Sequence, residues 1–278
     1  GSSNCKKVEE EGLKHIAIDA AFSTCDILSL MIPDSQIDDF ISANLKKMRE
    51  NQTILLSHGY SIVYGKAHIP NYVNVIMVAP SGGGKVVRSE YKKGFGVPAL
   101  VAVDNDYSGG MLETALAYAK AIGSARAAVF TSTFKEETET DLFGEQVILT
   151  GSIPMIIIES YKVLLEEGYD PLISWFVCFY ELKTITNLMF EKGMESFYEM
   201  VSDTARYGGI SRGKRLIDSE FKNKIRKILR EIKNGDFNKE LSEGFSDKEG
   251  AYDSKNIFDS KDFNEIEKKL LKKIKKST

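Results

Sequence analysis

Cysteine is scarce in this 278-residue chain: Cys5, Cys25 and Cys178 stand far apart and form no C-x-x-C pair. That spacing offers neither a disulfide framework nor a zinc site, and it fits a reducing, cytoplasmic setting. An excess of positive charge is missing too. Lys and Arg number 37 against 40 Asp and Glu, a formal net charge of −3, so the electrostatic footprint of a nucleic-acid binder is absent. No unbroken apolar run approaches the length of a membrane helix, and no membrane span is expected. The opening Gly1-Ser2-Ser3-Asn4-Cys5-Lys6-Lys7 lacks the apolar core of a secretion signal. What remains, 42% hydrophobic and 28% charged, is ordinary globular material with length enough for two domains.

One stretch stands out. Phe134-Lys-Glu-Glu-Thr-Glu-Thr-Asp-Leu-Phe-Gly-Glu-Gln146 sets five acidic residues around two phenylalanines and a leucine. Asp141 and Glu145 are four apart, which on a helix stacks their carboxylates on one face, where like charges repel by a few tenths of a kcal/mol. A divalent cation reverses the sign of that interaction. Mg²⁺ suits it, since it takes oxygen from one or two carboxylates and keeps waters for a substrate to displace. A solvated acidic turn is the alternative, but Leu142 and Phe143 lie between the two acids and favour a partly buried, metal-holding turn.

The first half alternates β-rich runs with amphipathic stretches, the pattern of a parallel sheet flanked by helices. Strands are expected at His15–Asp19, Asp26–Ile32, Thr53–Ser57, Val73–Val78, Ala99–Val103 and Ala127–Phe130, and helices at Asp34–Arg49 and Gly109–Ile122. Several strands are apolar on successive residues, as strands covered on both faces must be. After about Thr133 only helical periodicity remains: Met155–Glu167, Leu172–Lys192, Glu195–Ala205 and Ile217–Lys233. Leu172–Lys192 is long and mostly apolar, which calls for cover from other helices or a second subunit. Asn234–Ser260 has the polar composition of a flexible connection. Phe263, Ile266, Leu270, Leu271 and Ile274 then mark a last amphipathic helix, with Glu265 and Glu267 favouring docking on the body over membrane contact.

Val78-Ala-Pro80, Gly94-Phe-Gly-Val-Pro-Ala-Leu-Val-Ala-Val103, the acidic stretch, Glu181-Leu-Lys183 and Ser202-Asp-Thr-Ala205 together resemble ketol-acid reductoisomerase of the short class, over residues 1 to about 241. The resemblance implies an α/β then all-α chain: a partial, Rossmann-like parallel sheet over 1–132, a knotted helical domain over 133–241 that pairs with a second subunit, and a polar linker and helix over 242–278. It implies Mg²⁺ and NADPH as cofactors, with 2-acetolactate or 2-aceto-2-hydroxybutyrate as substrate on the path to valine and isoleucine. It makes Asp141 and Glu145 metal ligands, Glu181 a metal ligand from the partner subunit, His58 an active-site histidine and Ser202 a substrate contact. Read alone, His58 is more often a structural histidine, although its place at a strand end, where α/β sheets bind ligands, favours function. Ser202 alone can equally be a helix N-cap.

The departures are as specific. The family's opening strand and G-x-G-x-x-G turn are not found, and residue 1 aligns just past the second strand, with Ser2 matching a phosphate donor. Gly82-Gly83-Gly84 follows Val78-Ala-Pro80 and reads as a substrate-side loop. Ser81 stands where the family has lysine, and Val177 where it has a glutamate four residues before Glu181. Both changes weaken the implied chemistry, leaving one weak Mg²⁺ site and a chain impaired in or without catalysis. A degenerate descendant serving as a dimeric scaffold is the alternative function.

Overall fold

The computed structural model describes residues 5–66, 68–244 and 261–274. The chain divides into two compact units, Gly1–Thr140 and Asp141–Thr278.

The first unit opens with α1 (Cys5–Glu10), α2 (Ile18–Thr24), β1 (Ile27–Leu30), α3 (Asp34–Asn44), β2 (Thr53–Leu56) and α4 (Tyr60–Val63). It continues with β3 (Asn74–Pro80), α5 (Gly84–Lys92), β4 (Ala99–Asn105), α6 (Met111–Ala121), β5 (Val129–Thr131) and the start of α7 (Phe134–Gly144). The strands form one sheet in the order β1-β2-β3-β4-β5. Successive residues of the central strands feed opposite cores. Ile54, Leu56, Val75 and Met77 join one cluster with Phe22, Ile41 and Phe134. Leu55, Ile76 and Val78 join the other, under Met111, Ala115 and Ala119 of α6. This is the two-faced burial that the unbroken apolar runs called for.

Two expectations change in this unit. The sheet is mixed rather than all parallel: β1–β2, β2–β3 and β4–β5 are parallel, but β3 and β4 are antiparallel. After β3 the chain passes through α5 and re-enters the sheet at the end where β3 finishes, so β4 runs against it; the direction of this return is not encoded in the apolar pattern of either strand. The second change is at His15–Asp19, which is not a strand. Ile18 begins α2, whose turns are closed by the Ser23 and Thr24 hydroxyls donating to the Asp19 and Ala20 carbonyls at 2.9 and 2.6 Å.

Among its described residues, the second unit is built of helices. The rest of α7 runs into a π-turn (Glu145–Leu149) and α8 (Ser152–Glu166). The expected long helix at Leu172–Lys192 is three pieces: α9 (Pro171–Trp175), a second π-turn (Phe176–Tyr180) and α10 (Glu181–Lys192). Asp170 caps α9, its carboxylate accepting from the Leu172 and Ile173 amides at 2.9 and 3.0 Å. Then come α11 (Met194–Met200), α12 (Asp203–Leu216), α13 (Ser219–Lys233), α14 (Asp236–Gly244) and α15 (Lys261–Ile274). The expected flexible connection is thus helical as far as Gly244, and its remainder, 245–260, lies outside the described residues. Phe263 of α15 is 4% exposed in a cluster with Ile158, Tyr161 and Trp175, so this helix docks on the body.

The helical path Phe134–Glu166 holds an 18-residue stretch of mean hydropathy 1.5, long and apolar enough by length and composition to cross a membrane, which the sequence reading did not anticipate. Single polar residues interrupt it, so it never shows as one unbroken run. Only 22% of that stretch is buried. Ile148, Leu149, Ile156 and Val163 are each at least half exposed.

The doubly covered sheet centre carries the stability of the first unit. Leu55, fully buried, should cost about 2–5 kcal/mol on replacement by Ala. Urea unfolding of Leu55→Ala is expected to show a lower midpoint at an unchanged denaturant slope.

Candidate active site

β2 ends at Leu56, and the next three residues, Ser57, His58 and Gly59, lead into α4. His58 Nδ1 lies 2.8 Å from Glu137 Oε1, and the Gly59 N–H donates to Glu137 Oε2 at 2.9 Å. One carboxylate thus holds two successive residues of the strand-end loop. As acceptor it places the proton on Nδ1, which fixes the tautomer of the ring. Glu137 is 4% exposed, and beside it Thr138 is fully buried, donating to the Phe134 carbonyl at 2.7 Å.

Gly59 is required by this packing. A Cβ there would stand 2.4 Å from Thr138 Oγ1 and 2.7 Å from the Phe134 carbonyl oxygen. The first residue of α3, Asp34, belongs to the same electrostatic neighbourhood. Burial pushes its carboxyl above the ordinary range; His58 pulls it down, and Glu137 pushes it up.

Asp141 stands one turn beyond Glu137 on α7, and Glu145 one turn further, as the first residue of the π-turn. Both are exposed, whereas Leu142 between them is buried. Acids at 137, 141 and 145 therefore follow one another at four-residue steps along one helical path. Glu181 is exposed at the first position of α10, directly after the second π-turn. π-turns are rare and concentrate at functional sites; here one adjoins each set of candidate ligands. Among the described residues, Asp141, Glu145 and Glu181 do not close into one ligand group within the chain.

The donor chemistry fits a hard divalent cation: exposed carboxylate oxygens at successive turns of a helical path. Ser202 is the N-cap of α12, its Oγ accepting from the Ala205 N–H at 3.2 Å. A hydroxyl keeps a donor hydrogen and a second lone pair, so capping leaves room for a substrate contact. Ser2 lies outside the described residues. Glu137 escaped the sequence reading, although the repeat of four that joins Asp141 to Glu145 extends back to it.

Beside His58, a cleft of about 610 Å³ opens at the carboxyl ends of β1, β2 and β3, lined by Met31, Ser57 and Pro80, with Gly82–Gly84 at the start of α5 and Arg88 and Tyr118 on its flanks. Ligands of open α/β sheets bind at this position, and the glycine run lines it as a loop. Ser81 and Lys85 are both exposed there.

The first unit is thus a Rossmann-like mixed sheet with a histidine at a strand end, and helices bearing a line of acids follow it. Sequence comparison gives the family. The profile described as acetohydroxy acid isomeroreductase, NADPH-binding domain, matches residues 1–128, and that of the ketol-acid reductoisomerase C-terminal domain matches 134–276. A ketol-acid reductoisomerase (NADP(+)) of Methanothermobacter thermautotrophicus is 44% identical over 241 residues, 86% of this chain and 74% of its own length. That of Methanopyrus kandleri is 41% identical over 272 residues, 96% and 81% of the two chains. The structure of an NADH-preferring ketol-acid reductoisomerase from an uncultured archaeon superposes with a TM-score of 0.90 at 32% identity, covering 98% of this chain and 82% of that one. The chain belongs to the ketol-acid reductoisomerase family and carries the family's NADPH-binding domain.

Two outcomes check the geometry. Gly59→Ala should displace Glu137 and free the His58 ring, read as loss of a single Nδ1–H tautomer in ¹⁵N NMR of the imidazole. Because the folded state holds the Asp34 proton more tightly than the unfolded chain, stability from this group is lost as pH rises through the carboxylate range above about 4. Asp34→Asn should flatten that part of a stability-against-pH curve.

Proposed function

We propose that this chain is built for the ketol-acid reductoisomerase reaction: migration of an alkyl group within 2-acetolactate or 2-aceto-2-hydroxybutyrate, then reduction, in valine and isoleucine biosynthesis in the cytoplasm. The single observation that carries the proposal is the acidic line of α7, anchored by Glu137 to His58 and continued by Asp141 and Glu145. Relatives named for this activity, 41–44% identical, support it.

Asp141 and Glu145 would hold Mg²⁺ with Glu181 of a second copy. The last assignment is supported by half-exposed or more exposed Ile156, Val163, Ile173 and Phe190 on α8–α10, which need cover. The cation would polarise the hydroxy-ketone as a Lewis acid, and NADPH would supply the hydride. The chain's own residues would orient the substrate and accept a proton. His58, held through Nδ1 by Glu137 at the strand end, is the proposed proton acceptor, and the Ser202 hydroxyl would contact substrate while capping α12.

Two positions temper this chemistry. Ser81 supplies no cation where the family has lysine, and cannot order developing negative charge as an ammonium does. Val177, 46% exposed in the second π-turn, offers no carboxylate, leaving one weak Mg²⁺ site. These substitutions favour a second reading, a dimeric scaffold without catalysis. The chain as it stands is expected to show no measurable NADPH consumption with 2-acetolactate and Mg²⁺. The doubly restored Ser81→Lys, Val177→Glu chain, joined to a βαβ unit that carries the family's G-x-G-x-x-G turn, should turn over. Robust turnover by the unmodified chain would contradict the impairment, and silence from the restored chain, with the already rearranged 3-hydroxy-2-ketoacid as well, would favour the scaffold.

A further inference from the structure

The second π-turn sets where Glu181 points. A π-turn inserts one residue into the helical path, and since an α-helix turns about 100° per residue, everything beyond it is rotated by roughly that angle relative to an uninterrupted helix. Glu181 is the first residue beyond. If the turn relaxed to regular α-helix, the Glu181 carboxylate would swing away by that angle.

The turn is held from one side by aromatic packing. Phe179 lies edge-on to Trp175, ring centroids 5.4 Å apart, and Tyr180 stacks on Phe176 at 4.7 Å. Phe263 of α15 closes the group, meeting Phe179 at 5.8 Å and Tyr161 at 5.1 Å, both edge-on. Ile266 and Leu270, three and seven residues on, pack on the same cluster. Trp175 is fully buried there, its indole N–H without a hydrogen-bond partner among the described residues. A buried indole normally finds one. Nothing polar therefore pins Trp175, and its placement depends on the fit of the rings around it.

We infer that α15 is a brace for the cation site: Phe263 is a positioning residue that keeps the Phe176–Tyr180 π-turn wound and so aims Glu181, coupling the docking of α15 to cation binding. The inference rests on the proposed role of Glu181 as a ligand. Coupling of this kind is reciprocal, so a bound cation must tighten the seat of α15 as much as a seated α15 tightens the cation.

Trp175 is the single tryptophan of the chain, so its emission reports the seat directly. The experiment compares the full unmodified chain with Phe263→Ala, Phe263→Leu and Glu181→Gln, using Mg²⁺ alone in calorimetry, tryptophan emission, and amide hydrogen exchange over 261–274. Phe263→Ala is expected to red-shift Trp175 emission and weaken Mg²⁺ binding about tenfold, with Phe263→Leu recovering most of both. Mg²⁺ should slow exchange in α15 of the unmodified chain and not of Glu181→Gln. If Glu181→Gln weakens Mg²⁺ binding but Phe263→Ala does not, the brace is overturned and the ligand role of Glu181 stands. If Glu181→Gln leaves Mg²⁺ binding unchanged, the ligand role fails and the brace with it. Should Phe263→Ala not fold, exchange in the unmodified chain decides: no Mg²⁺-dependent protection of α15 overturns the inference.

Discussion

The two-pronged grip of Glu137 on the His58 ring and the Gly59 amide is the contact on which the site depends. It spans 79 residues of sequence on one prong and 78 on the other, and it ties the start of α7 to the end of β2. A buried carboxylate is tolerated only when its oxygens are satisfied. Here the ring N–H and the amide N–H satisfy them, and Gly59, lacking a Cβ, lets the helix come close enough. Removing either partner would leave a charge-bearing group in a nearly dry place, so the contact fixes strand end and helix together.

From that anchor the chemistry follows the helix. α7 carries the acid line onward from Glu137 to Asp141 and Glu145, out of the core and into solvent. The buried member orients the histidine, and the exposed members are the proposed cation ligands. The π-turn at Glu145 and the one before Glu181 show local winding adjusted at both places where ligands are proposed. Regular helices would have been the default for these segments, so the departures mark constraint rather than composition.

Much of this was legible in the residues. The unbroken apolar runs of β2 and β3 announced a sheet covered on both faces, and Asp141 and Glu145 stood out because their spacing is unfavourable without a cation. Other features were hidden for physical reasons. The antiparallel β3–β4 pair depends on the end at which the chain re-enters the sheet after α5, not on the pattern within either strand. Alternation at His15–Asp19 resembled a strand, but the Ser23 and Thr24 hydroxyls close helical turns there. Glu137 was unread because its partner is a histidine 79 positions away, and the π-turns because aromatic periodicity at Leu172–Lys192 is compatible with continuous helix. Ser202 shows the limit of a single residue: the cap is visible in its geometry, and the substrate contact comes from family resemblance.

The central claim is that Asp141 and Glu145 form a divalent-cation site. Calorimetric titration of the full chain with Mg²⁺, repeated with Mn²⁺, tests it most directly when set against Asp141→Ala. The account predicts weak but saturable binding in the unmodified chain and its loss in the variant, with secondary structure unchanged by circular dichroism. Binding that is absent in the unmodified chain, or that survives Asp141→Ala undiminished, would contradict it.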